Sequence, residues 1–210
     1  MKRVVALFIL CFSLQQAQAQ FDGNRRVTAQ PGVRAGLNLA NFTNWQGTEV
    51  RPDFYVGGMV SINFFKFYSL QPEINYSRQG AKYDYHQHTL LPPSGSSEQN
   101  DLEVQYLSFA LMNKFYIVDE FHAIIGPSVD FKIGDNFSNQ WFGGSVSDID
   151  FALQGGLGYT LDFGLTVEAR YKMGLVDIFG YENWLNSNEN NIQNDIILNS
   201  VVQLGLSYSF

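Results

Sequence analysis

The stretch that most constrains the fold is residues 196–210, IILNSVVQLGLSYSF. From Ile196 to Phe210 every second residue is apolar or aromatic except Ser200, and the residues between them are small or polar over most of the length. A period of two predicts a β-strand with one apolar and one polar face. An apolar face that ends in aromatics suits the closing strand of an outer-membrane β-barrel.

The same alternation recurs seven times upstream. The predicted strands are 33–39, 54–64, 67–78, 103–115, 121–131, 148–160 and 163–174. Long connections are predicted at 42–53, 80–102, 132–147 and 175–195, and short turns at 65–66, 118–120 and 161–162. Strands of about nine to eleven residues can cross a membrane, and long loops alternate with short turns in bacterial barrels. We therefore predict an all-β fold, an eight-stranded antiparallel up-and-down transmembrane β-barrel. The short turns and both termini should lie in the periplasm.

Composition agrees with this class of protein. Charged residues make up only 16% of the chain, whereas hydrophobic residues make up 45% and aromatic residues 15%. A mean hydropathy of −0.12 argues against a bundle of membrane-spanning helices, but is natural for alternating strands. The formal net charge is −7 without any basic patch, so nucleic acid is not expected as a partner. Pro72, within a predicted strand, removes one backbone donor, yet the alternation continues across it.

The first 19 residues have the three-part plan of a secretory signal peptide. Lys2 and Arg3 precede an apolar run, which is followed by Ala17-Gln18-Ala19. Cleavage is expected after Ala19, and it would remove Cys11, the only cysteine. The predicted organisation is a signal peptide at 1–19, a short periplasmic segment at 20–31 and the outer-membrane barrel domain at 32–210.

The charged residues favour a membrane barrel over a secreted lipocalin-like barrel, in which the apolar faces would point inward. Seven charged residues share the polar faces of the strands: Arg34, Glu73, Lys114, Asp130, Glu168, Arg170 and Lys172. Inside a narrow barrel these side chains should pair with one another, because an unpaired buried charge is costly. A path for solutes between them is the alternative interpretation, and catalysis by Glu73 or Glu168 is a more remote one.

Other candidate sites are weaker. His122 is predicted to face inward, with Ser108 and Ser128 as conceivable neighbours in a hydrolytic site. His86 and His88 form an H-x-H pair in a loop, whereas Asp148, Asp150 and the Asn-rich stretch 183–195 resemble solvated loop and strand-end residues. We expect no catalytic site, metal site or cofactor. Trp45, Trp141 and Trp184 fall in three different long loops, where they could contact a partner, join an upper membrane girdle or pack loops together.

Seven segments together resemble the PorT-like small outer-membrane β-barrels of Bacteroidota. They are 32–39 (GVRAGLNL), 69–81 (SLQPEINYSRQGA), 104–107 (VQYL), 126–127 (GP), 155–159 (GGLGY), 168–175 (EARYKMGL) and 205–210 (GLSYSF). The sequence departs from that family at Ser108-Phe109-Ala110, where the family usually has a proline. The resemblance implies the barrel fold, an outer-membrane location, and presentation of the closing strand, with Tyr208 and Phe210, to the barrel-insertion machinery. One branch of the family assists protein secretion and gliding.

The sequence therefore predicts a barrel without enzymatic activity and with a structural or interaction role at the cell envelope. Its expected partners are outer-membrane lipid, the insertion machinery and an envelope protein, and its role could be accessory to secretion or surface binding. A narrow channel or small-ligand-binding barrel is the alternative function, and a barrel enzyme is a third.

Overall fold

The computed structural model describes residues 27–44, 48–83, 100–136, 146–178 and 196–210. They form eight strands: β1 (Thr28–Phe42), β2 (Thr48–Phe65), β3 (Tyr68–Tyr83), β4 (Asn100–Tyr116), β5 (Phe121–Asp135), β6 (Ile149–Thr160), β7 (Leu165–Gly174) and β8 (Asn199–Ser209). Each strand pairs antiparallel with the next, and β8 pairs with β1, so the sheet closes into a barrel. The predicted eight-stranded up-and-down barrel is confirmed. No helix in these ranges is long and apolar enough to cross a membrane.

The strand registers fix the tilt of the strands. We start at Thr28 and step from each residue to its paired residue on the next strand, once around the barrel. The steps return to β1 at Asn38, ten residues further along (38 − 28 = 10). The path passes through Asn63, Ser69, Lys114, Ile124, Gly156, Arg170 and Gln203. Such a stagger requires strands inclined by about 35–45° to the barrel axis. All residues on this path share the inner face, and a barrel of eight strands is just wide enough for its side chains to fill.

Alternation along the strands separates a lipid-like exterior from a polar interior. Val33 and Leu37 of β1 are exposed, whereas the residues that directly follow them, Arg34 and Asn38, are buried. The same pattern holds in β7, where Glu168, Arg170 and Lys172 are all buried. Apolar side chains outside and charged side chains inside are the reverse of a soluble barrel. This arrangement excludes the lipocalin-like alternative.

The two ends of the barrel differ. We call the end with the short connections after β2, β4 and β6 the turn end, and the opposite end the loop end. β2, β3 and β4 are the longest strands, with 18, 16 and 17 residues against 10 and 11 for β7 and β8, and they stand tallest at the loop end. We call these three strands the tall wall. On β3 and β4 the outward apolar positions stop near Tyr76 and Leu107, and polar residues such as Arg78, Glu103 and Gln105 follow them.

Several boundaries differ from the predicted ones. β2 begins at Thr48 and β3 ends at Tyr83, so parts of the predicted loops 42–53 and 80–102 are strand. Alternation fails to reveal these extensions because both faces of a strand beyond the membrane can be polar. β1 also begins at Thr28, before the barrel start predicted at residue 32. Pro72 lies inside β3 as predicted: it pairs with Leu111 of β4, and the β2–β3 pairing passes it without a bridge.

Candidate functional site: the barrel interior

Inward-facing glycines make room for large side chains in the interior. A methyl group at Gly205 would lie 1.7 Å from the Tyr55 hydroxyl, and one at Gly36 would lie 2.8 Å from the Tyr55 ring. Gly158 likewise faces His122, where an added methyl would lie 2.4 Å from Nε2. Small and large residues therefore interlock across the lumen, and the glycines of β1, β6 and β8 are part of the packing.

Glu73 of β3 is the centre of the largest group of charges. Arg34 of β1 donates to its Oε2 from Nη1, and Arg170 of β7 donates through Nη1 and Nη2, at 3.0 Å to Oε2 and 2.9 Å to Oε1. The Gln71 amide adds a bond of 2.7 Å to Oε1. The Glu73 side chain is completely buried, so these charge-assisted bonds replace its hydration.

Glu168 of β7 extends the same group. Arg170 Nη2 lies 2.6 Å from its Oε2, and Lys114 Nζ lies 3.1 Å from its Oε1. Arg34 approaches the same carboxylate at 3.7 Å. We call Arg34, Glu73, Lys114, Glu168 and Arg170 the lower ion cluster. It joins β1, β3, β4 and β7 across the lumen and holds three cations against two carboxylates.

His122 lies beside the lower ion cluster, near the turn end. It is 0% exposed, its Nε2 lies 3.7 Å from Glu168 Oε1, and its ring is tilted against Tyr116 at 5.2 Å between centroids. Ser108, a predicted neighbour, donates instead to Asp130. The described contacts do not assemble a nucleophile, base and orienting group around His122.

A second group of charges lies nearer the loop end. Lys172 of β7 pairs with Asp130 Oδ2 and lies 3.4 Å from Ser108 Oγ. Asp150 of β6 stands directly opposite Asp130 in the β5–β6 register and is 3% exposed. Asp150 was predicted to be a solvated strand-end residue, and this prediction is wrong. Asp150 shares the inner face of β6 with Ala152 and Gln154, so its side chain points into the lumen. Its Oδ1 accepts a hydrogen bond of 3.3 Å from Val176 N. Asp148 beside it does lie in solvent.

An apolar cluster lies in the interior at the loop end. We call it the outer cap; its members are Phe42, Ala81, Leu102, Val104, Tyr106, Val146, Ile178 and the partly buried Ile197. Val146, Ile178 and Ile197 come from segments between strands. Backbone bonds from Ser147 N to Ile178 O (2.7 Å) and from Ile178 N to Ile197 O (3.0 Å) join these segments over the mouth. They pack against β3 and β4 of the tall wall.

A further set of charges fastens the tall wall where it leaves the apolar band. Arg78 donates from Nε to Glu103 Oε1 at 3.0 Å, and Arg51 Nη2 lies 2.9 Å from Glu103 Oε2. Asp53 lies 2.6 Å from Arg51 and completes this set, which we call the Arg51 group. The four residues tie β2, β3 and β4 together beside an irregularity in the β2–β3 register between Val50 and Tyr55.

The structure places all seven charged residues predicted for the lumen inside the barrel. Five form the lower ion cluster, and Asp130 and Lys172 form the separate pair. Sequence reasoning missed the buried Asp150 and the Arg51 group; the inward parity of Asp150 was the available signal.

Tyr208 and Phe210 lie at the turn end with rings 5.4 Å apart. Trp45, Trp141, Trp184, His86 and His88 lie outside the described residues. Within the described ranges no group of three His, Cys, Asp or Glu residues could hold a metal ion.

The chain belongs to a family of outer-membrane β-barrels. Residues 16–180 match the family described as "Outer membrane protein beta-barrel domain", which is most of the chain. Membership in this family, together with the closed barrel, identifies an outer-membrane protein. A search of curated protein sequences finds no match.

Several solved structures of outer-membrane proteins align with this chain. Neisserial surface protein A (NspA) aligns with a TM-score of 0.50 and 11% identity, covering 90% of this chain and 100% of that one. Ail, the attachment invasion locus protein of Yersinia pestis, solved with the heparin analogue sucrose octasulfate, aligns with a TM-score of 0.46 and 12% identity, covering 88% and 99%. OprG from Pseudomonas aeruginosa gives 0.44 and 13%, covering 88% and 97%. At these identities the likeness to NspA concerns the fold alone.

Proposed function

We propose that this protein is a non-conducting, non-enzymatic outer-membrane barrel that acts by interaction at the cell envelope. The observation that carries the proposal is the filled interior. Charged side chains from β1, β3, β4 and β7 meet across the lumen in the lower ion cluster, and the outer cap covers it at the loop end. The seven predicted lumen residues then serve to hold the barrel wall together.

The tall wall supports an interaction role. The β3–β4 pairing runs without interruption from Tyr68–Phe115 to Tyr83–Asn100, well past the last outward apolar residues near Tyr76. Because a tilted strand rises about 2.5 Å along the axis per residue, the seven residues after Tyr76 carry the hairpin roughly 17 Å beyond the apolar band. The Arg51 group fastens its base. The wall is therefore a stiff support for the connection between β3 and β4.

The orientation is part of the proposal. Short turns at one end and long connections at the other are typical of barrels whose turns lie in the periplasm, so both termini would be periplasmic. Exposed aromatic side chains at the turn end, including Phe67, Phe115, Phe163 and Phe210, suit an interfacial girdle. Phe210 N donates to Pro31 O at 2.9 Å, which fixes the end of the chain beside β1. We propose that Tyr208 and Phe210 present this strand to the insertion machinery.

Finer assignments rest on the resemblance described above. Membership in the PorT-like family of Bacteroidota and an accessory role in secretion are proposals on that basis. A signal peptide cleaved after Ala19 is proposed from the pattern of residues 1–19. The loop tryptophans Trp45, Trp141 and Trp184 remain candidates for contact with an envelope protein. Ail was solved with a sulfated heparin analogue, so a surface-binding role can be tested with sulfated glycans.

The second candidate function is a narrow channel, favoured by the polar character of the lumen. Recordings in planar bilayers distinguish the two functions. We expect the wild-type protein to pass no measurable current, because side chains occupy the lumen at the level of Glu73 and Arg170. A reproducible single-channel conductance that changes in Arg170→Met would overturn the non-conducting assignment.

A second experiment tests the interaction role. Replacing residues 84–99 by a short turn joins Tyr83 to Asn100 and keeps every described β3–β4 pair. We expect this variant to fold and to lose crosslinked envelope partners. A control variant with changes at Val118 and Asp119, at the opposite end, should keep them. Partners captured equally by both variants would contradict a role for the β3–β4 hairpin.

A further inference from the structure

The upper edge of the apolar outer surface is not level around the barrel. On β3 and β4 this surface ends at Tyr76 and Leu107, which are paired with each other. Leu107 also pairs with Phe131 of β5, and Phe131 pairs with Ile149 of β6. The four residues therefore form one row across the sheet. Phe131 and Ile149 are 39% and 42% exposed, so the row is still apolar and outward-facing on β6.

A row of paired residues climbs toward the loop end because the strands are tilted. The climb is ten residues around the whole barrel, which is about 1.25 residues, or about 3 Å, from each strand to the next. Ile149, three strands away from Tyr76, therefore lies about 9 Å nearer the loop end. By the same measure Ile133 of β5 and Leu175, directly after β7, lie about 8 to 9 Å above Tyr76. Ile133 and Leu175 are 56% and 59% exposed. We call Ile133, Ile149 and Leu175 the apolar crest.

The tall wall is polar at the height of the apolar crest. Gln105 of β4 lies two residues beyond Leu107, about 8 Å above Tyr76, and its Oε1 accepts a hydrogen bond of 3.1 Å from the Tyr76 hydroxyl. Arg78 stands opposite Gln105 in the β3–β4 register and donates from Nε to Glu103 at 3.0 Å. Amide and charged groups are costly to place among acyl chains, so lipid should end below them.

The apolar surface is also taller on the side of the apolar crest. On β3 it spans eight residues from Tyr68 to Tyr76 (76 − 68 = 8), which is about 20 Å along the axis. On β5 it spans twelve from Phe121 to Ile133 (133 − 121 = 12), the last of them in a bulge, which is about 28 Å. These heights lie on either side of the roughly 25 Å typical of outer-membrane barrels. Because their difference equals the rise of the apolar crest, the two sides share one lower edge.

We propose that acyl chains of the outer leaflet cover the apolar crest and end about 8 Å lower at the tall wall, so that the membrane surface slopes down toward β3 and β4. Lipid is the occupant because the apolar crest continues the lipid-facing surface without a break, through the exposed Phe131, Phe151 and Met173. A bilayer adjusts its local thickness to the apolar height of a protein at modest cost. The slope requires only the outer-membrane location and is independent of the proposed interaction role.

Spin labels on single cysteines measure the slope. The full chain with Cys11→Ser is folded into dimyristoylphosphatidylcholine vesicles and carries one further change, Ile149→Cys, Leu175→Cys or Gln105→Cys. Collisions of the label with oxygen, which concentrates among acyl chains, are compared with collisions with a water-soluble nickel chelate. We expect the oxygen-to-nickel ratio to be several-fold higher at Ile149 and Leu175 than at Gln105, although the three positions have nearly the same height.

Two further labels provide the reference values. Leu157→Cys, on the outer face in the middle of β6, gives the value for lipid, and Asp148→Cys, in solvent, gives the value for water. Unboiled gels show that each variant is folded, and Leu175→Cys repeats the measurement if Ile149→Cys does not fold. Water-like ratios on the apolar crest, or equal ratios there and at Gln105, would overturn the proposal. Few collisions with either reagent on the apolar crest would also overturn it, because a second copy or another part of the chain would then cover the surface instead of lipid.

Discussion

Glu73→Gln should be one of the most damaging isosteric changes in this barrel. The carboxylate holds Arg34 and Arg170 together at the centre of the lower ion cluster, and both guanidinium groups are buried with it. Glutamine has nearly the same shape but no charge. The cluster would then hold three cations against one carboxylate, Glu168, in a lumen where water cannot screen them.

The expected loss is large. Removing one partner of a buried ion pair costs about 3–5 kcal/mol, because the remaining charge stays buried without compensation. Arg34→Met gives an informative comparison, since it leaves two cations against two carboxylates. The methionine also keeps an apolar stem near Tyr55, whose ring lies 4.8 Å from the Arg34 guanidinium. Arg34→Met should therefore destabilise the barrel less than Glu73→Gln does.

Urea unfolding of the barrel in detergent micelles measures both variants. The midpoint is converted to a free energy only where folding and unfolding curves coincide. Glu49→Gln, at an exposed position of β2, is the control and should leave the midpoint unchanged. If Glu73→Gln costs no more than Arg34→Met, charge balance does not govern the stability of the lower ion cluster, and the reasoning is refuted.

Two further predictions concern packing and assembly. Gly205→Ala should destabilise the barrel by about 1–3 kcal/mol, because its methyl group would overlap the Tyr55 hydroxyl. Gly58→Ala is the control and should be tolerated, since Gly58 lies on the outer face and the atom nearest to an added methyl is 3.8 Å away. Equal urea midpoints for the two variants would contradict the packing argument. Deleting Phe210 should lower the fraction of heat-modifiable, membrane-inserted protein on unboiled gels, because the bond to Pro31 and the contact with Tyr208 are lost. Phe163→Ala, at another exposed aromatic of the turn end, should insert normally, and normal insertion without Phe210 would count against its role in assembly.

Much of the fold could be predicted from the sequence because a membrane imposes a simple rule. Lipid outside and a packed polar lumen inside force every second residue to be apolar, so the alternation around Arg34, Glu73 and Arg170 shows which side chains point inward. Beyond the membrane the rule no longer applies. The extensions of β2, β3 and β4 therefore escaped prediction, although they form much of the tall wall.

What the sequence by itself determined is the number of strands, their order and the face on which each side chain lies, because these follow from a period of two and the lengths of the connections. What only the tertiary structure decided is which inward residues meet. The ten-residue stagger of the closed barrel carries Arg170 of β7 to Glu73 of β3, and leaves Asp150 opposite Asp130 and beside Gly174. No local pattern encodes that stagger, since it is the sum of the registers of all eight strand pairs.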